Sequence, residues 1–160
     1  MSIQNNTDIT LQIIAPVSGK TQELSEVPDP VFAEKLTGDG LAILAESDDI
    51  LAPCDGEITL FFDTKHAFAI TTDSGIQVLV HVGLDSILLN GEGLTALHKI
   101  GDRVKAGTKI ISIDRQLIES KKINMISPVL IVNYDSVKAL HPLTGKKVAA
   151  GQDPVIEYSL

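Results

Sequence analysis

The sequence has 160 residues, of which 44% are hydrophobic, and this length and composition suit one globular domain with its own core. Its net charge of −8 and pI near 4.8 argue against a nucleic-acid partner, because binding to a phosphate backbone needs clustered Lys and Arg. The single cysteine, Cys54, excludes an intrachain disulfide, and we expect it to act as a small buried hydrophobic residue.

The first residues are predicted to be a tail. Met1 to Thr10 is polar and has neither a basic patch nor an apolar run, which argues against a signal peptide and an amphipathic anchor. No apolar run reaches the roughly 20 residues that a membrane span requires. We therefore expect a soluble, cytoplasmic protein without a direct membrane anchor, in which residues 1–12 form a short polar tail and residues 13–160 form one domain.

Short apolar runs recur along the chain and are separated by Gly, Pro, Asp and Asn, a pattern typical of all-β sandwiches and barrels. The runs are Leu11 to Ile14, Leu41 to Leu44, Ile58 to Phe62, Ala67 to Ile70, Ile76 to Val82, Ile110 to Ile113, Val129 to Val132 and Val155 to Tyr158. Single helical turns are expected within three segments, Pro30 to Leu36, Leu94 to Ile100 and Asp114 to Lys122. The predicted fold is an antiparallel β-sandwich or barrel-like domain with a few short helical turns.

Two pairs of similar segments indicate a quasi-duplicated β architecture. Ala-Pro-Val-Ser-Gly at 15–19 recurs as Ala-Pro-Cys-Asp-Gly at 52–56, and the Gly-x-x-Val-x-x-Gly pattern at 101–107 recurs at 145–151. Glycines at these spacings supply positive φ in tight bends that lead into strands. Two unrelated turns of similar sequence are the alternative explanation.

The segment 63–85 predicts a β-hairpin, because two runs rich in Val, Ile, Thr and Phe flank Thr-Asp-Ser-Gly at 72–75. If the reversal has an even number of residues centred between positions 73 and 74, His66 lies directly opposite His81. Directly opposed residues have Cβ atoms about 4.5–5.5 Å apart, so two imidazoles could share one small anion or metal ion.

The same register assigns the side chains of the hairpin to two faces, because side chains alternate along a strand. The partner-facing side would carry Thr64, His66, Phe68, Ile70, Gln77, Leu79 and His81, and the apolar core side would carry Ala67, Ala69, Ile76, Val78, Val80 and Val82. A reversal with an odd number of residues would shift the register by one and place the two histidines on opposite faces.

With the hairpin and its surroundings in view, the chain resembles the glucose-type IIA protein or domain of the bacterial phosphoenolpyruvate:sugar phosphotransferase system. Gly-Ile-Gln-Val-Leu-Val-His-Val-Gly-Leu-Asp-Ser at 75–86 resembles the active-site signature of that family, with Ser86 in place of the usual Thr. Other similar segments occur in order between about Ile13 and Ile156. They are Ile14-Ala15-Pro16, Val27 to Lys35, Gly38-Asp39-Gly40, Thr64 to Phe68, Asn90 to Gly93 and Ser127-Pro128-Val129.

The resemblance implies a phosphotransferase component that forms a phosphohistidine. His81 would accept a phosphoryl group on Nε2 from the phosphocarrier protein HPr and pass it to a cysteine of the IIB domain of a sugar permease. His66 would donate an N–H to the phosphoryl oxygens, and the Thr64 hydroxyl would orient the His66 ring. We expect no metal and no cofactor, since transfer between two nitrogens needs positioning more than covalent activation.

By correspondence with the family, a partner-binding rim would surround the two histidines. Its apolar members would be Phe32, Phe62, Leu79, Val82 and Ile87, and its acidic members, Asp29 and Asp85, would meet arginines of HPr. Acidic groups in such a rim mainly raise the association rate and select the partner.

Two other classes share parts of this pattern. Residues 81–85 resemble the His-x-x-x-Asp ligand pair of lysostaphin-type zinc peptidases, but those enzymes also need a downstream His-x-His, and His98 and His141 are far apart. A lipoyl or biotinyl carrier needs a lysine at a hairpin tip, and none occurs between Lys65 and Lys99. We expect no catalytic role for His98 or His141. The alternative that stays open is a regulatory module that reports phosphorylation state by binding transporters or metabolic enzymes.

Overall fold

The computed structural model describes residues 10–160 and is 42% strand and 13% helix, so the predicted antiparallel all-β fold is confirmed. Within these residues the strands are β1 Leu11–Ile14, β2 Gly19–Glu23, β3 Asp39–Ala45, β4 Asp49–Leu51, β5 Gly56–Phe61, β6 Ala67–Thr71, β7 Gln77–His81, β8 Leu94–Ala96, β9 Arg103–Val104, β10 Lys109–Ile113, β11 Ile126–Ile131, β12 Ala139–Pro142, β13 Lys147–Val148 and β14 Pro154–Ser159. Residues 1–9 of the predicted tail lie outside the described part, whereas Leu11 and Gln12, also assigned to the tail, belong to β1.

In residues 10–160, helix is confined to single turns and one short helix. The α-helices are α1 Pro30–Ala33 and α2 Arg115–Ser120, and 3₁₀ turns cover Leu24–Glu26, Ser86–Leu89 and Tyr134–Ser136. Each α-helix lies where a helical turn was predicted, and each begins after an aspartate, Asp29 or Asp114, whose side chain accepts a backbone N–H of the first turn. None of the helices between residues 10 and 160 has the length and the apolar character of a membrane span.

The third predicted helical turn, Leu94 to Ile100, is wrong. Its first residues form β8, in which Leu94, Thr95 and Ala96 pair with residues 111–113 of β10. The intrinsic preference of three residues for helix is weak, and the backbone hydrogen bonds and apolar contacts offered by β10 outweigh it.

The strands form two nested halves. The outer half comprises β1–β3 and β11–β14, and the inner half, β4–β10, is inserted between β3 and β11. The eight-stranded sheet has the order β13-β2-β3-β11-β7-β6-β5-β9, and two three-stranded sheets have the orders β1-β14-β12 and β4-β10-β8. In the large sheet, β13-β2-β3-β11 of the outer half corresponds to β9-β5-β6-β7 of the inner half. In the small sheets, β1-β14-β12 corresponds to β4-β10-β8. As a result, β11 and β7 lie side by side at the centre of the large sheet.

The repeated sequence segments occupy equivalent places in the two halves. The Ile14 N–H donates to the carbonyl of Pro53 at 2.8 Å, and the Leu51 N–H donates to the carbonyl of Pro16 at 2.7 Å, so the two Ala-Pro segments bind each other reciprocally. The two Gly-x-x-Val-x-x-Gly segments form the short outermost strands β9 and β13. The structure thus agrees with a duplication and not with two unrelated turns.

The large sheet is covered on both faces. The first core lies between this sheet and the two small sheets and contains Phe68, Ile70, Val78 and Val80, which are at most 1% exposed. A smaller second core lies on the opposite face and is formed by Leu24, Val27, Phe32, Ala42, Ala67, Ala69, Leu79, Leu84 and Leu130. The segment that carries the 3₁₀ turn Leu24–Glu26 and α1 closes this second face.

The predicted hairpin is formed by β6 and β7, but its predicted register is wrong by one residue. His81 pairs with Ala67, and Thr71 pairs with Gln77, so the reversal spans the five residues 72–76. The Thr72 side chain accepts the Ile76 N–H at 3.1 Å, which stabilises this odd-length loop. The faces of β6 are therefore exchanged.

In the corrected register, Phe68 and Ile70 join the first core, whereas Ala67 and Ala69 lie on the second face with Leu79 and His81. The assignment of β7 itself holds: Val78 and Val80 face the first core, as predicted.

The equivalent glycines Gly19 and Gly56 provide a test of the packing in the two halves. A Cβ on Gly19 would lie 1.9 Å from the Leu44 carbonyl oxygen, and one on Gly56 would lie 2.3 Å from that of Thr71, so neither site can accept a side chain without moving a strand. We expect Gly19→Ala or Gly56→Ala to lower the free energy of unfolding by more than about 3 kcal/mol in urea titrations. Gly75→Ala is the control: nothing lies within 4 Å of its Cβ, so it should cost only about 1–2 kcal/mol of positive-φ strain. Equal losses at Gly19 and Gly75 would contradict the close approach.

Candidate functional site

The site lies at the end of β7, on the second face of the large sheet, where two histidine rings meet. The ring centroids of His66 and His81 are 5.0 Å apart with an interplanar angle of 69°. His66 is 3% exposed and His81 is half-buried, so one ring supports the other and only part of His81 is accessible.

The histidines meet although the odd register was expected to separate them. His66 precedes β6 and lies in the turn 62–66, where Lys65 has a φ of 60°, so the alternation of side chains along a strand does not govern its direction. The His66 carbonyl accepts the Val82 N–H at 2.7 Å, and this bond fixes the turn against the end of β7.

Two phenylalanines flank the histidine pair. The Phe32 ring contacts His81 edge-on with centroids 5.1 Å apart, and the Phe62 ring lies 4.8 Å from that of His66. Phe32 reaches the site because α1 covers the second core, whereas Phe62 follows β5 and is 39% exposed. These rings keep water away from most of the imidazole surface.

The tautomer of His81 is determined by the backbone. Its Nδ1 lies 2.6 Å from the Gly83 carbonyl oxygen, which can only accept a hydrogen bond, so Nδ1 carries the proton. In the neutral ring Nε2 then keeps its lone pair. Burial lowers the pKa of His81 below its usual value, while the Gly83 carbonyl and the carboxylates of Asp29 and Asp85 act in the opposite direction.

The ring of His66 is held by Thr64, whose Oγ1 lies 2.5 Å from Nδ1. Burial first, and the neighbouring His81 second, lower the pKa of His66 to about 4. His66 is therefore neutral near pH 7. When the Thr64 hydroxyl donates to Nδ1, the proton of the neutral His66 ring is on Nε2, where it can be donated to an anion.

In the loop that follows β7, two successive peptide groups are each hydrogen-bonded through both the carbonyl and the N–H. The Val82 carbonyl accepts the Ser86 hydroxyl, and the Gly83 N–H donates to Ser127 Oγ at 3.0 Å. The next peptide uses the Gly83 carbonyl for His81, and its Leu84 N–H donates to the Asn124 carbonyl at 2.9 Å. These roles of Gly83, Ser127 and Ser86 were not predicted from the sequence. The only available signal was the presence of these residues in segments that resemble the family.

The residues predicted for a partner-binding rim differ widely in exposure. Ile87 and Phe62 are 53% and 39% exposed, and Asp85 is exposed beside them. Asp29 is half-buried because its carboxylate caps α1 by accepting the Val31 N–H at 3.0 Å.

The remaining apolar members of the predicted rim have little accessible surface. Phe32 and Leu79 are 5% and 6% exposed and belong to the second core beneath the histidines. Val82 is fully buried in the first core, so its prediction as an apolar rim residue must be corrected: strand alternation continues past His81 and directs its side chain away from the site.

The other singled-out residues lie outside the site. His98 Nδ1 is 3.0 Å from Asp102 Oδ2, and His141 is on β12, opposite Glu157 of β14. Cys54 is 7% exposed, and burial raises the pKa of its thiol to about 12, consistent with a small buried hydrophobic residue. Within residues 10–160, no group of three or more His, Cys, Asp or Glu side chains is arranged to hold a metal ion.

Comparison with known proteins identifies the family. Residues 11–137 match the family described as phosphoenolpyruvate-dependent sugar phosphotransferase system, EIIA 1. The chain belongs to this family. It is 40% identical over 147 residues to the PTS system glucose-specific EIIA component of Oceanobacillus iheyensis, and the aligned residues cover 92% of this chain and 89% of the relative. It is 43% identical over 137 residues to the component of the same name from Borreliella burgdorferi, and here the aligned residues cover 86% of this chain and 72% of the relative.

A solved structure agrees with this assignment. Glucose permease IIA from Mycoplasma capricolum matches with a TM-score of 0.86 and 35% identity, covering 94% of this chain and 96% of that chain. The resemblance found in the sequence is thus confirmed, and the chain is a IIA component of the sugar phosphotransferase system with a general role in phosphotransfer for sugar transport.

The depressed pKa of His66 predicts a specific dependence of stability on pH. The unfolded chain protonates this ring near pH 6.5, whereas the folded protein resists protonation down to about pH 4. Between these values the unfolded state binds more protons, so lowering the pH destabilises the folded state. From pH 7 to 4, we expect the free energy of unfolding to fall about 3 kcal/mol more in wild type than in His66→Gln.

The measurement is a series of urea titrations across this pH range. His141→Gln, which removes an exposed histidine, is the matched control and should follow wild type. Parallel curves for wild type and His66→Gln would show that burial of a neutral His66 contributes nothing to acid sensitivity.

Proposed function

We propose that His81 is the phosphoryl acceptor and that the chain carries the group from HPr to a IIB domain. The observation that supports this most directly is the hydrogen bond from Nδ1 to Gly83, since it leaves the Nε2 lone pair free in a ring that burial keeps neutral. Nucleophilic attack needs that lone pair, and neutral imidazole supplies it without a separate base.

The two transfers balance without a metal or cofactor. Nε2 of His81 forms a bond to phosphorus as the phosphorus–nitrogen bond of phospho-HPr breaks, and the HPr imidazole recovers its lone pair. The thiolate sulfur of the IIB cysteine then attacks phosphorus, and His81 leaves as neutral imidazole. Both steps depend mainly on alignment and on stabilisation of the equatorial oxygens.

His66 is proposed to stabilise those oxygens. Its ring centroid is 5.0 Å from that of His81, and the contact with Thr64 is compatible with a proton on Nε2. An N–H held in a largely buried position costs little reorganisation when charge develops on the phosphoryl group. Thr64 is therefore a positioning residue for His66.

The partner surface is proposed to surround the accessible part of His81. Ile87 and Phe62 offer exposed apolar area, and Asp29 and Asp85 offer carboxylates close enough to influence the pKa of His81. Phe32 and Leu79 would contribute mainly as the supporting layer. This arrangement suits a partner that presents arginines around an apolar centre, as the family resemblance implies for HPr.

The roles of the two histidines can be separated by mass spectrometry after incubation with phosphoenolpyruvate, enzyme I and HPr. Wild type should gain one acid-labile phosphate and His81→Gln should gain none, because Nε2 is lost. His66→Gln should still accept phosphate but should pass it to IIB at least about 100-fold more slowly, since a transition-state donor is missing. His141→Gln should behave like wild type, and normal onward transfer by His66→Gln would remove the proposed role of His66.

The acidic rim predicts an effect on association with HPr. Replacing both Asp29 and Asp85 by Asn should lower the association rate with phospho-HPr about fivefold at low salt, and the difference should vanish at high salt because the charges are screened. Asparagine retains the capping bond of Asp29, so α1 should stay in place.

The matched control removes two carboxylates elsewhere, through Asp135→Asn and Glu157→Gln. Stopped-flow kinetics at two salt concentrations provide the measurement. The same change in rate for the rim variant and the control would attribute the effect to net charge and would contradict a specific acidic rim.

A further inference from the structure

Ser127 contacts neither histidine ring, yet its hydroxyl lies at the centre of the bonds that hold the loop after β7. It is 1% exposed, its Oγ accepts the Gly83 N–H at 3.0 Å, and the same hydroxyl donates to the Met125 carbonyl at 3.1 Å. Because its single proton goes to Met125, the bond from Gly83 uses a lone pair of the oxygen.

A side chain is needed here because the backbone ladder between β7 and β11 has ended. These strands pair from Val78 to Val80 opposite residues 129–131. The residue of β11 that would continue the pairing beside His81 is Pro128, which has no N–H. Gly83 is itself buried and has a φ of 72°. Within residues 10–160, the Ser127 hydroxyl is therefore the one partner of the buried Gly83 N–H, at a point where the pairing of β7 with β11 has ended.

We propose that Ser127 is a positioning residue for phosphoryl transfer and that it fixes the tautomer of His81 through Gly83. Ser127 orients the peptide before Gly83, Asn124 orients the peptide after it, and together they direct the Gly83 carbonyl at His81 Nδ1. A carbonyl held in this direction keeps the proton on Nδ1 and the lone pair on Nε2. The tautomer claim stands on geometry alone, whereas its consequence for transfer rests on the function proposed above.

Ser127→Ala removes one oxygen atom and should release the Gly83 peptide. In the neutral ring of this variant we expect a mixture of the Nδ1–H and Nε2–H forms, whereas wild type should contain the Nδ1–H form alone. The rate of phosphorylation at saturating phospho-HPr should fall about tenfold, which corresponds to the loss of one buried hydrogen bond. The concentration of phospho-HPr that gives half the maximal rate should not change, since Ser127 is too deeply buried to contact a partner.

Two variants control for folding and for the hydroxyl. Ser127→Thr keeps the hydroxyl and should restore the wild-type tautomer. Thr21→Val removes a hydroxyl of the same kind, because Thr21 Oγ1 donates to the Leu143 carbonyl at 2.8 Å and accepts the Lys146 N–H at 3.0 Å, and it is 1% exposed. This bond lies at the β2 and β13 edge of the sheet, so Thr21→Val should lower stability without altering the tautomer of His81.

The experiment is a long-range ¹H–¹⁵N correlation spectrum of the histidine rings at a pH where His81 is neutral, recorded without any partner and followed by phosphorylation kinetics. A folded Ser127→Ala protein with a pure Nδ1–H tautomer would overturn the proposal. If this variant does not fold, Ser127→Cys replaces the hydroxyl by a thiol that accepts hydrogen bonds weakly, and an unchanged tautomer in folded Ser127→Cys would overturn it equally.

The two proposals can fail separately. If the tautomer changes in Ser127→Ala but wild type takes no phosphate, the claim that Ser127 fixes the tautomer of His81 is retained, and the carrier function is rejected together with the consequence for transfer. If wild type takes phosphate normally and Ser127→Ala and Ser127→Cys keep the tautomer and the rate of wild type, the carrier function is retained and the positioning role of Ser127 is rejected.

Discussion

The hydrogen bond from His81 Nδ1 to the Gly83 carbonyl is the interaction on which the site depends. It determines which ring nitrogen keeps a lone pair, and its acceptor is the carbonyl of Gly83, which has a φ of 72° just after β7. A side chain at Gly83 would bring its Cβ within 2.8 Å of the Asn124 carbonyl, so close packing as well as conformation requires glycine there. The hydroxyls and backbone groups around the loop thus hold the Gly83 carbonyl in the direction of His81 Nδ1.

Burial supplies the second property of the site, which is the absence of charge on both imidazoles. The second core beneath them is shallow, and it leaves part of His81 accessible while almost covering His66. The pKa values of both rings fall below their ordinary range as a result. A ring that is neutral and fixed in direction can attack or donate without first losing a proton, which is why a rigid sheet suffices as the support.

Much of this could be predicted from the sequence, and the errors have particular causes. The segment 63–85 identified the hairpin and the histidine pair, since composition and turn residues are local signals. The register was missed because the parity of the reversal depends on how Thr72 bonds across the loop, and the meeting of the two rings depends on the positive φ of Lys65. Ser127 was missed as a separate contributor because its role requires a contact with Gly83, 44 residues away in the chain.

The nested arrangement of the fold explains why the site draws on both halves of the described chain. Both histidines and Gly83 belong to the inner half, whereas Ser127 belongs to β11 of the outer half, and Phe32 belongs to α1 beside it. Gly19 lies against Leu44 as Gly56 lies against Thr71, and His81 pairs with Ala67 of β6 as Leu130 pairs with Gly40 of β3. The position equivalent to His81 in the outer half is therefore Leu130, which has no nucleophile. The two halves therefore have similar scaffolds, of which the inner one carries both histidines and the outer one contributes Ser127 and Phe32, which pack or bond around them. Because β7 is central, Val80 is paired on both sides, with β6 and with β11, and this fixes the direction of the strand immediately before His81 as a strand at the edge of the sheet could not.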